Sequence, residues 1–407
     1  MAQEINSIMP QTKQSDADRI CETKTENFKY EYWMASLYKI SDNRRRQACH
    51  LAGNAEQMYA LSADQLRRLH FFSDEEIRYI VESRKTFDAE REWSLFQDRG
   101  IRFLPYTHAD YPEKLRPIYD PPFAIYVKGR LPDESAKSIA VVGARACSEY
   151  GRSVARMLGR VLAEQGAQVI SGMAAGIDSA SHAGALSVNG DTFAVLGSGC
   201  DICYPKSSCN IYHNILAGGG GIISELAPGT RPLPQFFPRR NRIISALSDT
   251  VVVVEAKTRS GSLITADQAL EQGKDVYAVP GRFTDTLSAG CNHLIEQGAG
   301  ILADLDNFLK NTGIVPERKI KDSNVKINIE LPLEKEEYLV YSNLDFNPKF
   351  INSIIEETGL DLLTVLSALD SLKKSIWCRK RFKIIIVKKC KGAAVSGSRR
   401  LCRRAAL

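Results

Sequence analysis

The sequence predicts an α/β protein built on an open parallel sheet, and three observations predict it. From Ser138 onward, short apolar runs alternate with helix-like runs. The runs that would be strands, such as "SIAVVGAR", "TFAVLGSG" and "TVVVVEA", are apolar on both faces, the mark of strands covered by helices on each side. The loops after those runs are rich in glycine, as ligand-binding loops at the carboxyl ends of such a sheet are.

The elements follow in order. Residues 1–26 are polar and expected to be disordered. Residues 27–90 read as a small helical (SAM-like) domain, since "SDEEIRYIVESRK" opens on a capping-type residue and both it and "ADQLRRL" have helical apolar spacing. The sheet domain covers 91–312. It starts with a connector, 91–137, in which "FAIYV" is one strand. Next come the strand "SIAVVGAR", a helix to Gly166, the strand "AQVISG", the helix "IDSASHAGALSVNG", the strand "TFAVLGSG", the helix "NIYHNILAGG" and the strand "GGIISE". A Pro-rich loop leads to the helix "RRNRIISALS" and the strand "TVVVVEA". The helix "SLITADQALEQG", the strand "DVYAVPG", the helix "AGCNHLIEQGA" and the short strand "GILAD" complete an extended Rossmann-like sheet. Residues 313–330 are a charged linker. Residues 331–390 read as a winged-helix-like unit: a short turn separates "INSIIEETG" from "DLLTVLSALDSL", and "SIWCRKRFKIIIVKKC" supplies a wing strand. Residues 391–407 form a basic tail expected to be disordered.

Composition narrows the class. The chain has 407 residues, 44% of them hydrophobic, enough for two or three domains with a sizeable core. No run approaches the ~18 to 20 apolar residues of a membrane span, and the first residues lack a signal-peptide layout. The expectation is a cytoplasmic protein whose ten cysteines are reduced. The net charge of +6 belongs to the end of the chain: 13 of the 54 Lys and Arg, and no Asp or Glu, lie from Lys373 onward, leaving 41 basic against 48 acidic residues, or −7, before it. Anion binding by the body therefore needs a local site.

The strand-end loops supply one. They are "GAR" (143–145), "SGMAAGID" (171–178), "GSGCDICYPK" (197–206), "SELAPGTRPLPQFFPRRNR" (224–242), "EAKTRSGSLITAD" (255–267) and "PGR" (280–282). Glycines, hydroxyls and basic residues dominate them, and helix N-termini offer free N–H groups, so together they read as a phosphate-binding rim. Arg239, Arg240 and Arg242 stand at a helix start, where a phosphate would be gripped by the guanidinium forks. The alternative is a structural network with Asp249, Glu225 or Glu255. Ser260, Ser262 and Thr265 either cap the next helix or bond phosphate.

Other chemistry is disfavoured. Gly143 and Gly151 do not give the dinucleotide spacing, no acid closes the second strand, and there is no P-loop, so no cofactor is expected. Cys200, Cys203, Cys209 and His213 imitate a zinc spacing but read better as buried cysteines, so no metal is expected. Asp178 and His182 could be an acid–base pair or fix a helix start.

The quoted segments, with "AGCNHLIEQGA" and the element from Asp110 to Leu115, resemble the DNA-processing protein A (DprA/Smf) family in order and position over roughly 100–312. The resemblance implies a non-catalytic, cytoplasmic, homodimeric protein that binds single-stranded DNA, protects incoming DNA and loads the RecA recombinase during natural transformation and recombination. It carries DNA contact onto Arg145 after the first strand, onto Phe237, Pro238, Arg240, Asn241 and Arg242, and onto Ser260, Gly261, Ser262 and Thr265. Gly143, Gly172, Gly176, Arg239, Lys206 and Lys257 complete the candidate DNA-binding set. Phe237 would offer a base a stacking surface. Where many members have Arg or Lys before the G-I-D segment, this chain has Ala175, which removes one phosphate contact. A dimer face is expected within 220–312. The competing reading is a nucleotide-processing enzyme, phosphoribohydrolase-like, using Glu225 or Glu255. The acidic, apolar "DLLTVLSALDSL" argues against duplex recognition and for a protein-interaction role of the last unit.

Overall fold

The computed structural model describes residues 27–314, 334–344 and 349–374. The expectations for residues 1–26, for most of the linker, for the wing strand "SIWCRKRFKIIIVKKC" and for the basic tail lie outside the described residues. The chain divides into two compact units, one carrying the sheet and the other the last three helices.

The first unit opens with six short helices: α1 (Lys29–Ser36), α2 (Asp42–Ala52), α3 (Ala55–Ala60), α4 (Ala63–Arg68), α5 (Asp74–Thr86) and α6 (Ala89–Gln97). Their starts are fixed locally. Ser41, Asn54, Ser62, Ser73 and Asp88 each accept a backbone N–H of the first turn, and Ser62 with Gln65 and Ser73 with Glu76 close reciprocal capping boxes. Helix α6 runs through the boundary expected at 90/91. Trp33, Met34, Met58, Leu66 and Ile80 form the helical core, which continues without a break into Phe103, Tyr126, Ala194 and Ile222 of the sheet.

Nine strands form one sheet: β1 (Arg102–Pro105), β2 (Ala124–Gly129), β3 (Ser138–Val142), β4 (Gln168–Ser171), β5 (Thr192–Val195), β6 (Gly221–Ser224), β7 (Thr250–Val253), β8 (Asp275–Ala278) and β9 (Gly300–Ile301). Their spatial order is β1-β2-β6-β5-β4-β3-β7-β8-β9. All pairs from β6 to β9 are parallel, and β1 and β2 run antiparallel. Helices α7 (Glu149–Glu164), α8 (Ile177–Leu186), α9 (Cys209–Ala217), α10 (Phe236–Leu247), α11 (Gly261–Glu271), α12 (Ala289–Glu296) and α13 (Leu305–Asn311) connect and follow the strands. The parallel α/β fold expected from the sequence is the fold observed. Two elements differ from expectation. Strand β1 was expected to be connector: it has four residues, begins at an exposed Arg102 and ends at Pro105, a composition suited only to a sheet edge. Helix α13, capped by Asp304, was not expected after β9.

One topological detail positions the site. From β3 the chain adds β4, β5 and β6 in one direction, then α10 carries it back to β7 on the other side of β3. The carboxyl ends of β3, β4 and β7 are therefore where the winding reverses, the place open α/β sheets leave a crevice.

The second unit comprises α14 (Lys335–Ser342), α15 (Ile351–Thr358) and α16 (Leu362–Lys374). Val340, Ile354, Val365, Leu369 and Leu372 form its own core. The tight turn between α15 and α16 is made by Gly359, whose φ of 68° is left-handed.

Candidate nucleic-acid interface

At the crevice, the arginines of "FPRRNR" turn inward. Strands β4 and β5 stop at Ser171 and Val195, leaving carbonyls in need of donors. Arg240 provides them: its Nη1 donates to Gly172 O at 2.9 Å and to Val195 O. The guanidinium occupies the space a Cβ would fill at Gly172, so that glycine makes room for an arginine. Asp178, in the first turn of α8, faces the same group and accepts from Gly172 N at 3.2 Å. Burial raises its pKa to about 6 against the pull of Arg240, and burial lowers Arg240 to about 10. His182 does not complete a dyad. Its Nδ1 meets Thr192 Oγ1 at 2.6 Å, its Nε2 has no hydrogen-bond partner, and burial lowers its pKa to about 3.

Arg242 is tied down more completely. It grips Glu225 with both terminal nitrogens, at 3.0 and 2.8 Å, and donates to Asp120 O at 2.8 Å. It also reaches Asp42 of α2 at 3.4 Å. Arg239 bonds the same Asp42 and lies 3.2 Å from Glu225, but its side chain is 36% exposed. Burial works against ionisation of Asp42, yet Arg45, Arg239 and Arg242 together hold its carboxyl below its ordinary range. The network weighed from the sequence therefore exists with Glu225. Its second carboxylate is Asp42, whereas Asp249 pairs with Lys114 and the Ser138 N–H instead.

Other residues turn outward. Arg145 is exposed, and its guanidinium lies 4.9 Å from the centre of the Phe237 ring. Tyr204, 41% exposed, stands 5.7 Å from the same ring. With Asn241, Ser260, Ser262 and Thr265 they line a pocket of about 480 Å³. Lys206 and Lys257 are exposed. Ser260 caps α11, accepting from Ser262 N at 3.4 Å, and Asn241 donates to Gly261 O at 3.2 Å. Ser262 and Thr265 are buried, and Gly261 opens to solvent. Gly176, at a φ of 86°, packs against the Ala144 and Arg145 carbonyls, and Gly143 against Ile177 and Glu255 O. These two glycines lock the Arg145 loop in place.

Sequence reasoning missed two contributors and gave a third another role. Tyr204 reaches the pocket from a loop read for its cysteines and Lys206, Asp42 arrives from the helical domain, and Asp178, weighed only with His182, lines the pocket. Neither Glu225 nor Glu255 lines the pocket: Glu225 is held by arginines and the Glu255 carboxyl lies against Gly151. Cys203 and Cys209 are joined in a disulfide, contrary to the expectation of reduced thiols, while Cys200 is buried and burial raises its pKa to about 12. Among the described residues, no helix is long and apolar enough to cross a membrane.

The chain is similar to proteins already known. The family described as DNA recombination-mediator protein A matches residues 102–313. DNA processing protein DprA of Streptococcus pneumoniae is 45% identical over 200 residues, covering 49% of this chain and 70% of that protein. Protein Smf of Escherichia coli is 40% identical over 234 residues, covering 58% of this chain and 62% of that protein. A solved structure of DNA processing protein A from Streptococcus pneumoniae aligns at a TM-score of 0.60 and 33% identity, covering 69% of this chain and 97% of the other.

Proposed function

From the premise that the chain belongs to the DNA recombination-mediator protein A (DprA/Smf) family, we propose that it binds single-stranded DNA on the carboxyl rim of its sheet. It delivers the strand to a RecA-type recombinase during natural transformation and recombination, works in the cytoplasm as a homodimer, and catalyses no reaction. The observation that carries the reading is the pair Arg145 and Phe237, 4.9 Å apart, beside Tyr204 at the mouth of the pocket. A cation over an aromatic face, next to a second ring, suits an unpaired base and its phosphate. A duplex keeps its bases stacked inside and offers these rings nothing.

The contact set divides by exposure. The exposed Arg145, Lys206 and Lys257 meet the strand with the half-buried Phe237 beside Arg145, and Gly261 leaves its backbone open to it. Arg239 is half-exposed and contributes long-range charge. Arg240, Asn241, Arg242, Ser260, Ser262, Thr265, Gly143, Gly172 and Gly176 hold the rim in shape. The non-catalytic reading rests on the pocket's one carboxylate, Asp178, being occupied with Gly172 N and Arg240.

The test is fluorescence anisotropy with labelled oligo-dT, duplex competitor and two salt concentrations. Binding that is salt-sensitive, prefers single strands and survives truncation after residue 312 is expected. Loss of binding on that truncation would move the site off the rim. Turnover of a mononucleotide that disappears in Glu255→Gln would instead favour an enzyme.

A further inference from the structure

We propose that Phe283 is a second base-stacking platform on the same rim, taking a base farther along the strand than the one at Phe237; the proposal rests on the single-strand reading above. Phe283 is 92% exposed, in the loop after β8. That loop does not hang free. Leu287 O accepts from Ala256 N at 2.8 Å, Ala256 O accepts from Gly290 N at 2.8 Å, and Asn292 bonds both the N–H and the carbonyl of Gly281. The neighbouring loop is in turn bonded to the Arg145 loop, through Ala144 N to Glu255 O at 2.7 Å. Three loops thus form one continuous edge running from Arg145, past Lys257 and Arg259, to Phe283.

Spacing and charge suit a DNA strand. From β3 to β8 is two strand intervals, about 10 Å. That is about three phosphates at the spacing of one strand in a duplex, and fewer in a stretched strand. Lys257, Arg259 and Arg282 lie on these loops together with Asp285, and all four are exposed. The opposite end of the same edge provides the contrast. Tyr119 is 96% exposed there, but the neighbouring Asp120 faces Arg242, and Arg239 and Arg242 are already paired with Asp42 and Glu225. Exposed aromatic surface occurs at both ends of the rim, and basic surroundings at one.

The experiment measures anisotropy of the full chain on an oligo-dT series of increasing length. Phe283→Ala is expected to lose about fivefold or more in affinity on the longer oligomers, and to match the parent on oligomers too short to reach it. Tyr119→Ala should match the parent throughout. Phe283→Trp should restore affinity and add fluorescence that oligo-dT quenches. If Phe283→Ala binds like the parent at every length while Arg145→Ala binds weakly, the second platform is wrong and the single-strand reading stands. If Arg145→Ala also binds like the parent, the single-strand reading itself fails. A change in sedimentation without a change in DNA affinity would assign the loop to another copy of the chain and overturn the proposal.

Discussion

Arg242 and Arg145 stand at the same edge of the sheet and are used in opposite ways. Arg242, with Arg240, points into the protein, where carboxylates and backbone carbonyls accept from both guanidiniums. Arg145 points out over Phe237. The difference lies in the acceptors nearby. Parallel strands that stop in register leave carbonyls pointing at the crevice, and an arginine, with five donors in a fixed fork, is the side chain that can satisfy several at once. A cluster of arginines at a strand end is therefore first a means of closing the sheet, and only the guanidinium left without acceptors is available to a ligand.

The largest expected effect tests the inward set. Arg242→Ala leaves Glu225 buried without its main partner and Asp42 with two of its three arginines, each carboxylate having a side chain only 4% exposed. Breaking a buried pair this way costs about 3 to 5 kcal/mol. Urea unfolding should show a lower midpoint at an unchanged slope. Arg239→Ala should cost less, because its side chain is partly solvated. A loss below about 1 kcal/mol for Arg242→Ala would mean that the cluster is not structural, and the contrast with Arg145 would collapse.

Much of this was legible in the sequence, and the part that was not has a common cause. Each apolar strand, each glycine-rich turn and the helix start at Ser73 depend on neighbours in the chain, so periodicity and capping reveal them. Arg145 and Phe237 were legible as candidates because each sits at a strand end or a helix start. Their stacking was not, since it depends on how two loops 92 residues apart are brought together. The pairing of Arg239 with Asp42 spans 197 positions, and nothing around Asp42 distinguishes it from an ordinary first-turn acid. Strand β1 was missed because a four-residue edge strand ending in proline has no periodicity to read.

The pocket floor gives the next prediction, through pH. Asp178 has a folded pKa of about 6, above its ordinary 3.8, so the native state binds the extra proton between those values and the stability from it is lost as pH rises through that window. His182, at about 3 against an ordinary 6.5, does the reverse: the unfolded state binds the extra proton, and stability is lost as pH falls below 6.5. Between about pH 4 and 6 the two slopes oppose and largely cancel. Removing either should reveal the other, at about 1.4 kcal/mol per pH unit. Asp178→Asn should make the chain more acid-labile across that window, and His182→Gln less so, in denaturant melts at fixed pH. Parallel pH profiles for the parent and both variants would show that these buried groups do not set the balance.

The outward set carries the smaller effects, and they appear in binding rather than stability. Arg145→Ala should leave the unfolding midpoint within about 0.5 kcal/mol of the parent. It should weaken oligo-dT binding about tenfold and make the salt dependence shallower by about one phosphate contact. Ala175 sharpens the same comparison from the other side. It is half-buried in the turn between β4 and α8, one residue before the Gly176 that packs under the Arg145 loop. No carboxylate of the inward network is bonded to that turn apart from Asp178, which is already held by Gly172 N. A lysine placed there is expected to add its charge beside the Arg145 loop, against which Gly176 packs. Ala175→Lys should therefore steepen the salt dependence by about 0.7 in slope, one single-strand contact, and tighten binding modestly. If the slope is unchanged, the added ammonium has found a carboxylate after all, and the division between inward and outward charge at this edge is drawn in the wrong place.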